Sequence, residues 1–220
     1  MFIKICGITR EEDALLATAL GADAVGFIFA PSVRQVAPLA ARDMVRQLPA
    51  DIMTVGVFRD ATKEKVLETV NQVGLRAVQL HGHESPETCR WIAERVPVTI
   101  RALAAGSPDL TNFDQFGADI LLLDSPTPGS GEVFDWSLAE GAPSNQRLLL
   151  AGGLTPENVA TAIAKVNPWG VDVASGVEAE SGRKDPRKLR AFITAAQSAE
   201  PADYQGAQKR PFDWEEGTWN

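Results

Sequence analysis

The feature that most constrains this chain is an eightfold alternation of short apolar runs with stretches of helical spacing. Each apolar run favours a β-strand, and each is followed by a pattern typical of a helix. The alternation indicates βαβ units around a parallel sheet, and eight units are the number that closes a (β/α)8 barrel. We therefore predict an α/β fold, a single-domain (β/α)8 TIM barrel. The predicted strands are residues 2–6, 24–29, 52–58, 77–80, 98–103, 120–124, 147–151 and 170–174.

The glycine-rich turns favour a barrel over a doubly wound sheet. A doubly wound sheet would need fewer strands and would usually place its phosphate-binding glycines after the first one. Here Gly7 stands alone after the first strand, whereas glycine pairs and clusters follow later strands. We assign residues 1–197 to the barrel and residues 198–220 to a C-terminal tail. The tail is polar, then acidic and aromatic, and we expect it to be either mobile or docked on the barrel or a second chain.

Several helix starts are predicted from local sequence. A cap residue followed by proline is typical of a helix N-terminus, and this pattern occurs at Ser85-Pro86, Thr155-Pro156 and Asp185-Pro186. Thr9 stands three residues before Glu12, which is the spacing of a capping box. Shorter helices are expected near residues 110–116 and near Trp136.

Composition excludes some classes of protein and disfavours others. Hydrophobic residues make up 45% of the 220 residues, which is normal for a soluble globular protein. The sequence has no apolar run of about 18 residues that would span a membrane, and we see no signal peptide. We therefore expect a cytoplasmic protein. The net charge of −8 weighs against a nucleic-acid surface, and two cysteines do not form a disulfide framework.

The turns after the seventh and eighth strands predict a phosphate site. Gly152 and Gly153 follow the seventh strand, and Ser175 and Gly176 follow the eighth at the start of a possible short helix. Glycines let backbone N–H groups approach an anion, and a helix N-terminus adds a positive dipole. A phosphate site after strands seven and eight recurs in this type of barrel. A single Gly-Gly turn is weak evidence, but the two loops together favour phosphate binding.

Cys6 and Asp124 close the first and sixth strands, where a parallel barrel places its active site. Around the ring these strands lie across the mouth from each other, so the pair suits a general base and a general acid. A strand cysteine is usually an inert small hydrophobe, and an aspartate there is often a turn residue. A nearby helix N-terminus lowers a thiol pKa, which favours a reactive Cys6. Cys89 is interpreted as structural.

Two further strand-end residues are candidates for ligand binding. Arg34 follows the second strand, where its guanidinium suits a planar carboxylate, although a lone loop arginine is more often solvated. His81 follows the fourth strand and is either a ligand contact or a structural hydrogen-bonding residue. His83 is expected at the surface. With two histidines and no cluster at ligand spacing, the sequence gives no case for a metal.

Motifs along residues 2–195 resemble those of the phosphoribosylanthranilate isomerases of tryptophan biosynthesis. The opening Lys4-Ile5-Cys6-Gly7-Ile8-Thr9 and the block Asp172-Val173-Ala174-Ser175-Gly176-Val177-Glu178 are the most specific. One departure is Gly129-Ser130-Gly131, where the family often has a longer glycine cluster. The other motifs occur in the family's order: Gly26–Phe29 with Ser32-Val33-Arg34, Val78–Gly82, Leu123-Asp124, Phe134-Asp135-Trp136, Ala151–Leu154 with Asn158, Gly182, and Lys184-Asp185.

The resemblance implies an Amadori rearrangement of N-(5-phosphoribosyl)anthranilate to 1-(2-carboxyphenylamino)-1-deoxyribulose 5-phosphate, without a cofactor. It implies that Asp124 is the general acid, that Cys6 is the base, and that Arg34 holds the anthranilate carboxylate. It assigns the phosphate to Gly152, Gly153, Ser175 and Gly176 and the sugar hydroxyls to Asp172, and we add His81 as a substrate contact. The expected partner is a small phosphorylated aminosugar, and the expected state is a monomer or homodimer.

Three alternatives remain beside this interpretation. Another phosphosugar barrel, such as an epimerase, would usually need a metal cluster or paired acids. A non-catalytic barrel that binds phosphate would need neither Cys6 nor Asp124. Activity on the related aminoaldose of histidine biosynthesis would call for two aspartates as the acid–base pair, so Cys6 favours the tryptophan pathway alone.

Overall fold

The computed structural model describes residues 1–125 and 146–200, and its eight parallel strands form a closed barrel in sequence order. The predicted fold class is therefore confirmed. The seam between first and last strand closes with Lys4 of β1 opposite Asp172 of β8. The strands are β1 (Phe2–Ile5), β2 (Ala24–Ile28), β3 (Met53–Phe58), β4 (Ala77–Leu80), β5 (Val98–Ala104), β6 (Ile120–Asp124), β7 (Arg147–Leu150) and β8 (Gly170–Val173).

Helices surround the barrel, and a small hairpin follows β8. The helices are α1 (Glu11–Ala19), α2 (Pro38–Val45), α3 (Lys63–Val73), α4 (Pro86–Ala93), α5 (Val159–Val166) and α6 (Pro186–Ser198), with 3-10 segments at Pro108–Phe116 and Ser175–Val177. Strands β9 (Glu178–Glu180) and β10 (Arg183–Lys184) form the antiparallel hairpin. The helix expected near Trp136 and residues 201–220 of the predicted tail lie outside the described residues. Residue 198, where the tail was predicted to begin, is the last residue of α6. Among the helices that are described, none is long and apolar enough to span a membrane.

Strand alternation divides the buried side chains into two layers. On β6, Ile120 and Leu122 pack in a cluster inside the barrel, whereas Leu121 and Leu123 pack in the cluster beneath the helices. Successive side chains of a strand point to opposite faces, so Asp124 continues the inward-facing series. The same count places Phe2, Lys4 and Cys6 on the inner face of the first strand and its end.

Two of the three proline-marked helix starts are confirmed. The Ser85 side chain accepts a hydrogen bond from the Thr88 N–H, and the Asp185 carboxylate accepts from the N–H groups of Arg187 and Lys188. The prediction at Thr155 is wrong, because α5 begins at Val159. There the Asn158 amide oxygen accepts from the Thr155 N–H at 2.8 Å, which makes the segment a turn that precedes the helix.

The predicted capping box at Thr9 is also wrong. Helix α1 begins at Glu11 after Arg10, and no side chain caps it. The Thr9 hydroxyl instead donates to the carbonyl oxygen of Gly182 in the β9–β10 hairpin. A distant carbonyl therefore outcompetes the local capping interaction, and it ties the first βα loop to the last.

Candidate active site

A cavity of about 880 Å³ opens at the carboxyl end of the barrel strands. Ligand sites in such barrels lie at this end because the βα loops converge there. All nine residues predicted from the sequence to form the site line this cavity: Cys6, Arg34, His81, Asp124, Gly152, Gly153, Asp172, Ser175 and Gly176. The structure thus brings the predicted site residues together, and their individual roles remain predictions.

The loops after β7 and β8 have the backbone form of an anion cradle. Gly152 and Gly153 adopt φ values of +83° and +66°, which only glycine adopts without strain. Ser175 begins a single 3-10 turn, and the first N–H groups of a helical turn have no partner within it. A side chain at Gly176 would collide with the carbonyl oxygen of Leu154, so glycine allows the two loops to pack against each other.

Cys6 lies buried at the inner mouth of the barrel, next to the ammonium group of Lys4. Burial raises the pKa of the Cys6 thiol, the Lys4 charge lowers it, and the Asp172 charge raises it again. The net shift is upward, so the lowering expected from a nearby helix N-terminus is wrong. Desolvation raises the pKa of this buried thiol because the charged thiolate loses contact with water.

Lys4 and Asp172 form a buried ion pair across the β1–β8 seam. Lys4 Nζ donates to Asp172 Oδ1 at 2.9 Å, and the lysine side chain has no exposed surface. Burial opposes the lysine charge, but Asp172 and Cys6 outweigh it and raise the Lys4 pKa. The pair uses the Asp172 oxygen Oδ1, and Asp172 also lines the cavity, which is compatible with its predicted contact to sugar hydroxyls.

Asp124 is held by a short chain of polar groups. His81 Nε2 lies 3.2 Å from Asp124 Oδ2, and His81 Nδ1 lies 2.8 Å from the Gln79 amide nitrogen. His81 therefore lies between the Gln79 amide and the Asp124 carboxyl group and contacts both. The other oxygen, Oδ1, accepts from the Ser125 N–H at 2.8 Å. His81 therefore orients the predicted acid as well as lining the cavity.

Arg34 is fixed by a carboxylate that the sequence analysis did not assign. Its Nε and Nη2 atoms each donate to Glu178 at 2.7 Å, and Lys184 Nζ donates to the same carboxylate at 3.2 Å. Burial would raise the pKa of Glu178, but Arg34 and Lys184 outweigh it and hold that pKa below its usual range. Glu178 thus occupies the Nε–Nη2 edge of the guanidinium fork, so a second carboxylate would bind at the Nη1–Nη2 edge.

Gly7 makes room for this arginine. It adopts a φ of +71°, and a Cβ there would lie 2.6 Å from Arg34 Cδ. The Arg34 side chain therefore runs directly over the turn that follows Cys6.

Three functional neighbours were missed from the sequence: Lys4, Gln79 and Glu178. Lys4 and Gln79 carried a usable signal, since each is a polar residue on the inward face of a buried strand. Glu178 lies 144 residues from Arg34, and no local pattern links the two. In the described ranges, no group of three or more His, Cys, Asp or Glu side chains is arranged to hold a metal ion.

The closed barrel, with a thiol and a carboxyl group set into the mouth of one cavity, defines the class of α/β-barrel enzymes. Comparison with known proteins narrows this class. The family model for N-(5′-phosphoribosyl)anthranilate (PRA) isomerase matches residues 3–195. The chain therefore belongs to the N-(5′-phosphoribosyl)anthranilate isomerase family, as its motifs predicted.

Individual relatives agree with the family model. The N-(5′-phosphoribosyl)anthranilate isomerase of Desulforudis audaxviator is 46% identical over 204 residues, which cover 90% of this chain and 98% of the relative. The crystal structure of the Thermus thermophilus enzyme superposes with a TM-score of 0.85 at 42% identity, covering 90% of this chain and 99% of that one. A structure of the isomerase in complex with reduced 1-(o-carboxyphenylamino)-1-deoxyribulose 5-phosphate gives a TM-score of 0.80 at 42% identity, with the same coverage.

Proposed function

We propose that the chain catalyses the Amadori rearrangement of N-(5′-phosphoribosyl)anthranilate in tryptophan biosynthesis, by general acid–base catalysis. The observation that carries the proposal is the placement of Cys6 and Asp124 on separate strands around one cavity. That cavity also holds the loop glycines, which suit a phosphate, and Arg34, which suits a carboxylate. The proposed substrate carries both groups, joined through a ribose.

The first step is ring opening. Asp124, in its protonated form, gives its proton to the furanose ring oxygen while the bond between that oxygen and C1′ breaks. The anthranilate nitrogen supplies the electron pair, so the product is a protonated Schiff base with an open sugar chain. His81 and the Ser125 N–H hold the Asp124 carboxylate in one orientation throughout, which is what a positioned acid needs.

The second step is proton removal from carbon. Cys6, as thiolate, takes the proton from C2′, and the electrons of that C–H bond move through C1′ to the iminium nitrogen. The result is a neutral enolamine and a thiol. Tautomerisation of the enolamine to the 2′-ketone completes the rearrangement. Neither step changes the overall oxidation state, so an acid, a base and a fixed geometry are sufficient.

Substrate binding is assigned to the remaining residues of the cavity. The Nη1–Nη2 edge of Arg34 binds the anthranilate carboxylate, because Glu178 already occupies the other edge. Backbone groups of Gly152, Gly153, Ser175 and Gly176 bind the phosphate, and Asp172 accepts from sugar hydroxyls.

All residues of the proposed site come from one chain, so a monomer and a homodimer are both compatible with it. A Thermotoga maritima relative is described as dimeric phosphoribosylanthranilate isomerase. We propose a small phosphorylated aminosugar as the ligand and the cytoplasm as the location. The absence of a cofactor and of nucleic-acid binding stays a prediction.

The test is loss of anthranilate fluorescence when the purified protein is mixed with phosphoribosylanthranilate. We expect rapid loss with the native chain and background loss with a Cys6→Ala/Asp124→Asn double variant of native circular dichroism. The related aminoaldose of histidine biosynthesis serves as a control substrate and should not react. A folded native protein that leaves the fluorescence unchanged would contradict the proposal.

A further inference from the structure

Lys4 places a positive charge where the proposed reaction needs a negative one to form. It shares the inner face of the first strand with Cys6, two residues later, and is completely buried. A lysine inside an apolar barrel is costly unless its charge is compensated. Asp172 supplies one partner at 2.9 Å, and the nearby Cys6 sulfur is a second group that raises the Lys4 pKa.

The Cys6 sulfur and the Lys4 ammonium both lie next to Gly26 on the neighbouring strand. A Cβ added at Gly26 would lie 2.9 Å from Cys6 Sγ and 3.3 Å from Lys4 Nζ. Both atoms therefore lie over the same glycine, on the inner face of β2. Any larger residue would intrude on the space that the sulfur and the ammonium share.

The charges around Cys6 come from several elements, and Lys4 has the largest effect. Burial raises the Cys6 pKa most strongly, Lys4 is the leading group that lowers it, Asp172 raises it, and Lys184 of β10 lowers it to a smaller extent. Arg34, in the loop after β2, also interacts with the thiol. His81 and Asp124 line the same cavity from β4 and β6.

We propose that Lys4 is a positioning residue whose ammonium group stabilises the thiolate form of Cys6, which rests on the proposed role of Cys6 as the base. Asp172 keeps Lys4 protonated and holds its ammonium at the seam, so the lysine acts as a fixed counter-charge and not as a second base. When Cys6 takes the substrate proton, the sulfur becomes neutral and the Lys4–Asp172 pair remains.

A purely structural Lys4 would behave differently. If Lys4 served only to pair with Asp172, its loss would lower stability and would reduce activity equally at every pH. If it stabilises the thiolate, its loss makes the sulfur harder to ionise, and the deficit shrinks as the pH rises.

The direct test is the rate of Cys6 alkylation by iodoacetamide as a function of pH, in a Cys89→Ala background. Lys4→Met keeps the side-chain length and removes the charge. We expect alkylation at pH 7 to fall about tenfold or more, because a close opposite charge shifts a pKa by roughly one unit or more. Lys184→Met is the matched control, since it removes another buried lysine that affects the thiol less, and its deficit should be clearly smaller.

Lys4→Met leaves the Asp172 carboxylate without its partner, so a Lys4→Met/Asp172→Asn variant removes both charges if the single variant does not fold. That variant is compared with Asp172→Asn alone, and the additional removal of Lys4 should again slow alkylation at pH 7. Alkylation profiles of folded Lys4 variants that superpose on those of their parents would overturn the proposal.

Turnover separates this inference from the proposed function. The rise of kcat/KM with pH should move to higher pH in Lys4→Met, with partial recovery of activity in alkaline solution. A deficit that is constant with pH would overturn the role of Lys4. Normal turnover by Cys6→Ala would overturn the role of Cys6 as base, while the alkylation profile would still decide whether Lys4 stabilises the thiolate.

Discussion

The two sides of the barrel mouth hold their reactive groups in opposite electrostatic surroundings. Five charged side chains lie on the side of the mouth that holds Cys6, which we call the cationic side. They are the cations Lys4, Arg34 and Lys184 and the carboxylates Asp172 and Glu178. Asp124, on the other side, meets an imidazole and a backbone N–H. Within residues 1–125 and 146–200, no Lys or Arg side chain forms an ion pair with Asp124.

This difference separates the surroundings of the predicted base from those of the predicted acid. Lys4 and Lys184 favour the thiolate of Cys6, although burial outweighs them and the Cys6 pKa is raised overall. Asp124 has an imidazole and a backbone N–H as its partners instead. The predicted base and the predicted acid therefore differ in the charges that lie around them.

The largest expected effect is on the cationic side. Cys6→Ala should lower kcat by about 10²–10⁴-fold, the usual contribution of a positioned base, with little change in KM. Steady-state kinetics by fluorescence measures both constants. Cys89→Ala is the matched control, because Cys89 is the other buried cysteine and lies in α4. A Cys6→Ala variant as active as the control would show that Cys6 is not the base.

The corresponding change on the side that holds Asp124 is Asp124→Asn, which keeps the shape of the side chain but cannot deliver a proton. We expect a loss in kcat of about 10²–10⁴-fold, again with KM nearly unchanged. Unlike a shift in ionisation, this loss should not be recovered at any pH between 6 and about 9, because an amide does not titrate there. Near-native kcat in a folded Asn variant would show that another group protonates the ring oxygen.

A smaller effect is expected where the cationic side meets the substrate. Arg34→Ala should raise KM by about 10–100-fold, since a charged hydrogen bond contributes roughly 1.5–3 kcal/mol, and should change kcat less. Arg34→Lys should recover only part of the affinity, because an ammonium cannot form the two parallel hydrogen bonds of the fork. If both variants bind substrate as the native chain does, Arg34 lies outside the carboxylate site.

The smallest effect concerns stability in acid. The pKa of Glu178 is lower in the folded chain than in the unfolded one, so its stabilisation is complete above the unfolded value and is lost as the pH falls through the folded value. The free energy of unfolding, from urea titrations, should therefore fall more steeply below about pH 4.5 in the native chain than in Glu178→Gln. The difference should be about 1–3 kcal/mol. If the free energy of unfolding of the native chain and of Glu178→Gln changed with pH in parallel, the Glu178 pKa would not be lowered by folding.

The sequence was sufficient for the fold and for bringing the nine predicted site residues to one cavity, because both follow from short-range patterns. Strand ends locate Cys6 and Asp124, and glycine pairs locate the loops after β7 and β8. In a parallel barrel these positions must converge at one end. Alternation also contained the signal for Lys4, since a charged residue on the inward face of a buried strand requires a partner.

The remaining features depend on contacts between distant segments. The Thr9 hydroxyl binds the Gly182 carbonyl in place of a local cap, and Arg34 binds Glu178 across 144 residues. The pKa of Cys6 depends on how deeply the sulfur is buried, which no local pattern reports. Sequence therefore predicted which residues meet, but not which of them neutralise one another.

The Lys4–Asp172 pair has a consequence for the order in which the barrel is completed during synthesis. Lys4 is synthesised before its counter-charge, which lies 168 residues further along the chain. Until then the inner face of the first strand carries an uncompensated cation that cannot be buried without a large free-energy cost. The β1–β8 seam therefore gains its compensated ion pair only when the last strand is in place. The ion pair thus makes burial of the first strand's inner face depend on the presence of the last strand.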